Sequence, residues 1–303
     1  MADDLTFDTS PPGQAGNSVP VGALVRRVVA NNPGPVTFTG TCSYIVGRGR
    51  VAIVDPGPDD PAHVAALLDA VRGETVTHIL VTHTHRDHSP ASRAVKAATG
   101  AAIVGCSPHR SARPLFDGEV NRLETSSDRD YAPDRELREG EAVTGPGWTL
   151  RALATPGHMA NHLAFALPEE NVLFSGDHVM AWSTTVIAPP DGAMGDFMAS
   201  LDKLKGRPET VYWPGHGGPV REPQRFVRAL IHHRRQREVS ILNRLAAGDR
   251  TIPAIVAAIY QGLKPALVGA AGLSVFAHLE DLVARGLVAT DGAPALDGEY
   301  RLV

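Results

Sequence analysis

Cysteine is nearly absent, with Cys42 and Cys106 the only two in 303 residues. That number cannot build a disulfide framework. It fits a reducing compartment, so a cytoplasmic location is the first expectation. Aromatic residues are scarce at 5%. No run of 18 apolar residues occurs, since even VGALVRRVVA is interrupted by two arginines, and a membrane-spanning helix is therefore not expected. The opening MADDLTFDTSPPGQAG lacks the basic-then-apolar order of a signal peptide. An excess of one charge is missing too. The formal net charge is -4 with 13 histidines counted neutral, which gives no global attraction to nucleic acid or anionic lipid.

What is present begins with enough hydrophobic residues, 43%, for one large domain or two ordinary ones. An extended, proline-bearing lead-in is expected over residues 1–20. β-Leaning pieces follow at 23–30, 36–38, 43–46 and 51–54, with a hairpin turn at 47–49. DPGP at 55–58 stops the last of them, and Asp59 or Asp60 caps a helix at 61–72. A buried strand is expected at 76–81, a helix at 89–99 and a strand at 101–104. The polar stretch 107–140 reads as an insertion or long surface loop. Strands resume at 148–154, 163–166, 172–174 and 210–213, with a helix at 194–204. The early strands without helices argue against a purely doubly wound sheet. Beyond residue 220 the pattern is helical, at 223–245, 252–260 and 264–284, the last broken near 269–272. A small hairpin at 287–289 and 300–302 closes the chain.

The stretch VTHTHRDHSP at 81–90 gathers His83, His85, Asp87 and His88 directly after a buried strand. His83 and His85 are two apart, so in extended chain both imidazoles leave the same side. Asp87 and His88 fall in the turn toward the next helix, where capping is a competing use of the carboxylate. Three later stretches offer matching donors. TPGHMANH places His158 between two strands, LFSGDH places Asp177 at the end of another, and YWPGHGGP places His216 in a glycine-rich loop. All lie at or just beyond the C-terminal ends of expected strands, where loops converge above a rigid sheet. Imidazole suits zinc or iron, and carboxylate neutralises a metal's charge and can bridge two ions. The neighbouring His162, His178 and Trp182 are expected either as core residues, as partners that orient the ligands, or in contact with substrate.

His-x-His-x-Asp-His followed by His158, Asp177 and His216 resembles the metallo-β-lactamase superfamily over roughly residues 20–220. The resemblance implies an α+β fold, an αββα four-layer sandwich with a metal cleft at one edge. It implies two divalent metal ions, zinc first, with iron or manganese as alternatives. His83, His85 and His158 would hold one ion, Asp87, His88 and His216 the other, with Asp177 bridging. Asp87 and Asp177 would be the catalytic carboxylates. Neither cysteine is placed like the cysteine ligand of the best-known zinc β-lactamases, so antibiotic hydrolysis is not the expected role. Residues 225–303 resemble the small winged-helix domain of the β-lactamase-like protein 2 group. The expected division is thus a lead-in at 1–20, a catalytic domain at 21–222 and a winged-helix-like domain at 223–303.

The function implied is hydrolysis of a small ester or thioester by a metal-bridging hydroxide. The alternative is endonucleolytic cleavage of single-stranded RNA, known for an animal member of that group. A non-catalytic metal-binding or regulatory module is the alternative of another class, opposed by the full set of seven ligands. For RNA speaks the stretch 221–245, whose seven arginines against two glutamates give +5, with Arg228, Arg234, Arg235 and Arg237 as candidate phosphate contacts. Against it, residues 246–303 carry four basic and six acidic side chains, or -2, and LSVFAHLEDLVARG offers one cation, Arg285. Sequence-specific DNA binding is therefore not expected. No membrane partner is expected, and the winged helix is read as packing on the catalytic domain, shaping the cleft or supporting a homodimer.

Overall fold

The computed structural model describes residues 5–303, so the first four residues of the expected lead-in lie outside the described residues. A mixed seven-stranded sheet is laid down in chain order. It comprises β1 (Ser18–Pro20), β2 (Val25–Val29), β3 (Cys42–Arg48), β4 (Arg50–Val54), β5 (Thr75–Val81), β6 (Ala102–Gly105) and β7 (Arg135–Glu136). Strands β1 to β4 meander antiparallel, whereas β4 to β7 run parallel. The first two parallel crossovers use helices α1 (Pro61–Ala70) and α2 (Ala91–Thr99), and the third, from β6 to β7, runs through residues 106–134 without an α-helix. Asp60 caps α1 by accepting from the Ala62 N–H at 3.0 Å, with Pro61 in the first turn where no N–H is needed. The second sheet has the order β12-β11-β10-β9-β8, from β8 (Ala142–Gly145), β9 (Trp148–Ala154), β10 (Leu163–Leu167), β11 (Val172–Gly176) and β12 (Val211–Pro214). Helix α3 (Met194–Leu204) lies between β11 and β12 in the chain.

Alternation along β10 shows how the layers are glued. Leu163, Phe165 and Leu167 face the core between the sheets with Ile45, Ile53 and Trp148, while Ala164 and Ala166 face the opposite way, under Phe197 and Leu201 of α3. The result is the αββα sandwich. After it come α4 (Pro223–Ala246), α5 (Ile252–Ile259), α6 (Val268–Ala284) and a hairpin of β13 (Val288–Thr290) with β14 (Tyr300–Leu302). Ile241, Ile255, Phe276, Leu279 and Tyr300 form a third core there.

Three expectations need correction. Residues 36–38 form a turn, not a strand. The flanking Pro33 and Pro35 have no N–H to give a ladder, Gly34 N–H bonds Phe38 O at 3.0 Å, and Phe38 has φ 55°. Helix α6 is unbroken through Gly269 and Gly272, because Val275, Phe276, Leu279 and Leu282 bury one continuous face. The stretch 107–140 is no mere surface loop. It supplies β7 and buries Asn121, Ser127, Asp128, Tyr131 and Leu137 against the sandwich.

Candidate metal centre

Four strands end at one place. Asp55 follows β4, His83 follows β5, Asp177 follows β11 and His216 lies two residues past β12. The loop between β9 and β10 adds His158, and the turn before α2 adds His85, Asp87 and His88. Helix α2 starts at Ala91 behind Pro90, so Asp87 does not cap it.

The donor atoms fall into two groups that could each hold a metal ion: His83, His85, His158 and Asp177, and Asp87, His88 and His216. In the first, His85 Nδ1 is 3.0 Å from both His83 Nε2 and His158 Nε2, and Asp177 Oδ2 is 4.0 Å from His83 Nε2 and 3.7 Å from His158 Nε2. In the second, His216 Nε2 is 3.1 Å from Asp87 Oδ2 and 3.3 Å from His88 Nε2. Asp177 reaches this group too, with Oδ1 3.4 Å from His88 Nε2 and Oδ2 3.4 Å from His216 Nε2. Ligands about 2.0–2.1 Å from a tetrahedral ion stand roughly 3.3 Å apart, so these spacings fit.

Proton placement supports the fit. Asp55, in left-handed backbone at φ 49°, accepts the Thr82 N–H on Oδ1 and the Thr82 hydroxyl on Oδ2, both at 2.8 Å. With its proton given to Asp55, Thr82 Oγ1 accepts from His83 Nδ1 at 2.9 Å. Asp55 Oδ2 also accepts from His88 Nδ1 at 3.0 Å. His158 Nδ1 donates to Val186 O at 2.7 Å, and His216 Nδ1 to Gly40 O at 3.3 Å. Each of these rings thus spends its far nitrogen on an oxygen and aims Nε2 inward. Burial and cationic neighbours push His83 well below its ordinary range and His85 to about 3, leaving both neutral. Burial would depress His88 and His216 as well, but the Asp87 and Asp177 carboxylates outweigh it, raising His88 well above its ordinary value and His216 to about 10. Acidic charge that draws protons onto buried imidazoles will draw a divalent ion in their place. A Cβ at Gly215 would collide with Asp177 Oδ1 and the His88 ring, so the PGHGG turn must be glycine there.

The comparisons with known proteins agree with this geometry. Residues 36–216 match the model of the Metallo-beta-lactamase superfamily, and 251–296 match the Beta-lactamase associated winged helix domain. The chain belongs to the metallo-beta-lactamase superfamily. It is 32% identical over 224 residues to a Beta-lactamase-like protein 2 homolog of Caenorhabditis elegans, covering 72% of this chain and 70% of the relative. It is 29% identical over 232 residues to an Atrochrysone carboxyl ACP thioesterase of Aspergillus terreus, covering 75% of this chain and 61% of that one. A metallo-beta-lactamase family protein from Thermus thermophilus superposes with a TM-score of 0.74 at 26% identity, covering 94% of this chain and all of that one. The superfamily has a hydrolase fold, and here that fold carries a winged helix behind it.

The remaining candidate residues fall in distinct surroundings. His162 Nδ1 meets Thr155 Oγ1 at 2.8 Å while its Nε2 accepts the Asp177 N–H at 3.2 Å, so it holds the Asp177 backbone from behind. His178 is fully buried with neither ring nitrogen hydrogen-bonded, and its ring packs 4.5 Å from Phe197. Trp182 stacks on Phe38 with centroids 4.9 Å apart, and a Cβ at Gly217 would strike its ring. Arg234 was expected at a phosphate and is only 3% exposed, because it points inward from α4. Arg237 lies 4.1 Å over the Tyr260 ring, while Arg228 and Arg235 stand on the exposed side of α4. Asp55 and Thr82 were not anticipated as site residues.

Proposed function

We propose that this protein hydrolyses a small carboxylic ester or thioester at a two-metal centre, zinc in the first instance. The carrying observation is the pair of donor groups that share Asp177. His83, His85 and His158 would hold one ion, and Asp87, His88 and His216 the other. When bound, two divalent ions supply Lewis acidity toward the substrate oxygen and lower the pKa of a water toward ~7. Asp177 spans both groups and fixes their spacing. Asp87, with Thr41 Oγ1 3.4 Å from its Oδ2, orients the attacking water and relays its proton. The water oxygen bonds to the acyl carbon, the C–S or C–O bond breaks, and the leaving atom takes the proton. The relative named as a thioesterase supports the thioester reading.

The arginine pattern supports RNA less than the sequence alone suggested. Arg234 is buried, Arg225 pairs with Glu222 at 3.2 Å, and Arg244 pairs with Asp249 at 2.6 Å. We also place the protein in the cytoplasm, a reading supported by the unpaired, buried Cys42 and Cys106. No helix among the described residues is long and apolar enough to cross a membrane.

The test offers zinc-loaded protein an acyl thioester of N-acetylcysteamine and, separately, a labelled single-stranded RNA. Thiol release that disappears with chelator and in Asp177→Ala is expected, with the RNA left whole. Internal RNA cuts without thiol release would replace this reading by the nuclease one. Neither reaction from protein holding two zinc ions would sink both.

A further inference from the structure

We infer that Arg234 is a positioning residue, through which the C-terminal helices hold the metal-binding loop in place; this rests on the metal-centre reading above. The loop at 183–188 touches both kinds of ligand. Thr185 Oγ1 donates to Asp177 O at 2.6 Å and lies 3.2 Å from His178 O, and Val186 O accepts from His158 Nδ1 at 2.7 Å. Two consecutive residues therefore fix the backbone of the shared carboxylate and the ring of a ligand in the first group. Nothing in the loop's own sequence, STTVIA, supplies a rigid element for that task.

Arg234 supplies it from α4. One arm of the guanidinium donates to Thr185 O, and Nη1 reaches Ser274 Oγ on α6 at 3.3 Å. Its Cζ lies 5.2 Å from the ring centroid of Phe197, which belongs to α3. A single side chain so joins the loop, α3, α4 and α6. The arginine is 3% exposed and forms no ion pair with any carboxylate among the described residues, and its Nε has no partner. Burying an unpaired cation is costly, a cost that a well-packed apolar side chain would avoid. What an apolar side chain lacks is a planar fork that donates in two directions at once. Burial lowers the Arg234 pKa to about 10, so it stays charged at neutral pH and its donors are permanent.

The test compares Arg234→Met, Arg234→Lys, Ser274→Ala and, as a control on the same helix, Arg237→Met. Zinc is titrated against a chelating dye, and hydrogen exchange at 183–188 is followed in the metal-free proteins. Arg234→Met is expected to weaken one of the two zinc equivalents about tenfold, the size seen when a ligand's orienting partner is lost. It should also speed exchange in the loop and lower kcat with little change in KM, because the substrate itself is untouched. Lysine, a cation without the planar fork, should recover only part of the loss, and Arg237→Met should show none. Zinc binding within twofold of the unaltered protein, or equal weakening of both equivalents with faster exchange throughout, would overturn the inference. Should Arg234→Met fail to fold, Ser274→Ala decides: faster exchange confined to the loop supports the clamp, and unchanged exchange refutes it. Unaltered protein that binds no zinc would instead sink the metal centre, leaving the exchange comparison to judge the clamp alone.

Discussion

Asp55 binds no metal in the proposed centre, yet it orients one imidazole of each group, His88 directly and His83 through Thr82. Asp55→Asn keeps its volume but replaces an acceptor oxygen with a donor, so either the Thr82 backbone N–H, at Oδ1, or both the Thr82 hydroxyl and His88 Nδ1, at Oδ2, face a second donor. Zinc affinity is expected to fall about 10–100-fold with the fold intact, measured by metal content after dialysis and by near-UV circular dichroism. Full zinc content in that variant would show that the ligands orient themselves. The seven proposed ligands were legible because each sits in a short stretch whose histidine or aspartate follows a strand. Asp55 also follows a strand, but it stands in DPGP, where an aspartate before Pro-Gly-Pro reads as a turn former. Its left-handed φ and its reach across to β5 belong to the fold and leave no local mark.

Helices and strands were legible where periodicity and punctuation agreed, as in α1, β5 and β9. They were obscured where a polar segment gains its structure from a neighbour. Strand β7 is two charged residues that read as loop, and it is a strand only because β6 pairs with it. Helix α6 hides a different feature. His278 is 2% exposed with neither ring nitrogen hydrogen-bonded, and its burial, with Arg234, Arg237, His233 and Arg285 nearby, depresses its pKa from 6.5 to about 3. The unfolded chain takes up this proton as pH falls below 6.5, and the folded chain does not until about 3. Stability from this residue is therefore complete above the unfolded value and declines through that window by about 1.4 kcal/mol per pH unit. Urea unfolding between pH 7 and pH 5 should show a slope that flattens by about one proton in His278→Leu. Equal slopes in the two proteins would mean that the ring is already charged, or solvated, in the native state.

At the scale of the whole chain, composition shifts near residue 220, and a boundary at 222 falls between β12 and α4. The core does not respect that boundary. Val227, Leu230 and Ile231 of α4, with Ala277 of α6, share one cluster with Phe197, Leu201 and Tyr212 of the sandwich. Packing of the C-terminal helices on the sandwich was among the expectations, but which residues make it was not legible, since an apolar stripe on α4 looks the same whether it faces α5 and α6 or α3. Arg113 adds a polar tie across the same divide, with Nε 3.0 Å from Glu280 Oε1 of α6. Burying a side chain of this kind contributes about 1.5–3 kcal/mol, so the three α4 residues together contribute roughly 5–9 kcal/mol. That is comparable with the ~5–15 kcal/mol by which a whole domain is stable. A chain ended at residue 222 would lose it all and expose the α3 face of the second sheet to water. The shortened protein is expected to aggregate or to keep far-UV without near-UV circular dichroism. The full chain should unfold in one transition that tryptophan fluorescence and far-UV signals report together. A soluble, monomeric 1–222 fragment with native near-UV signal and two bound zinc ions would show the reverse: that the sandwich is self-sufficient, and that the helices behind it act on the centre only through contacts such as Arg234.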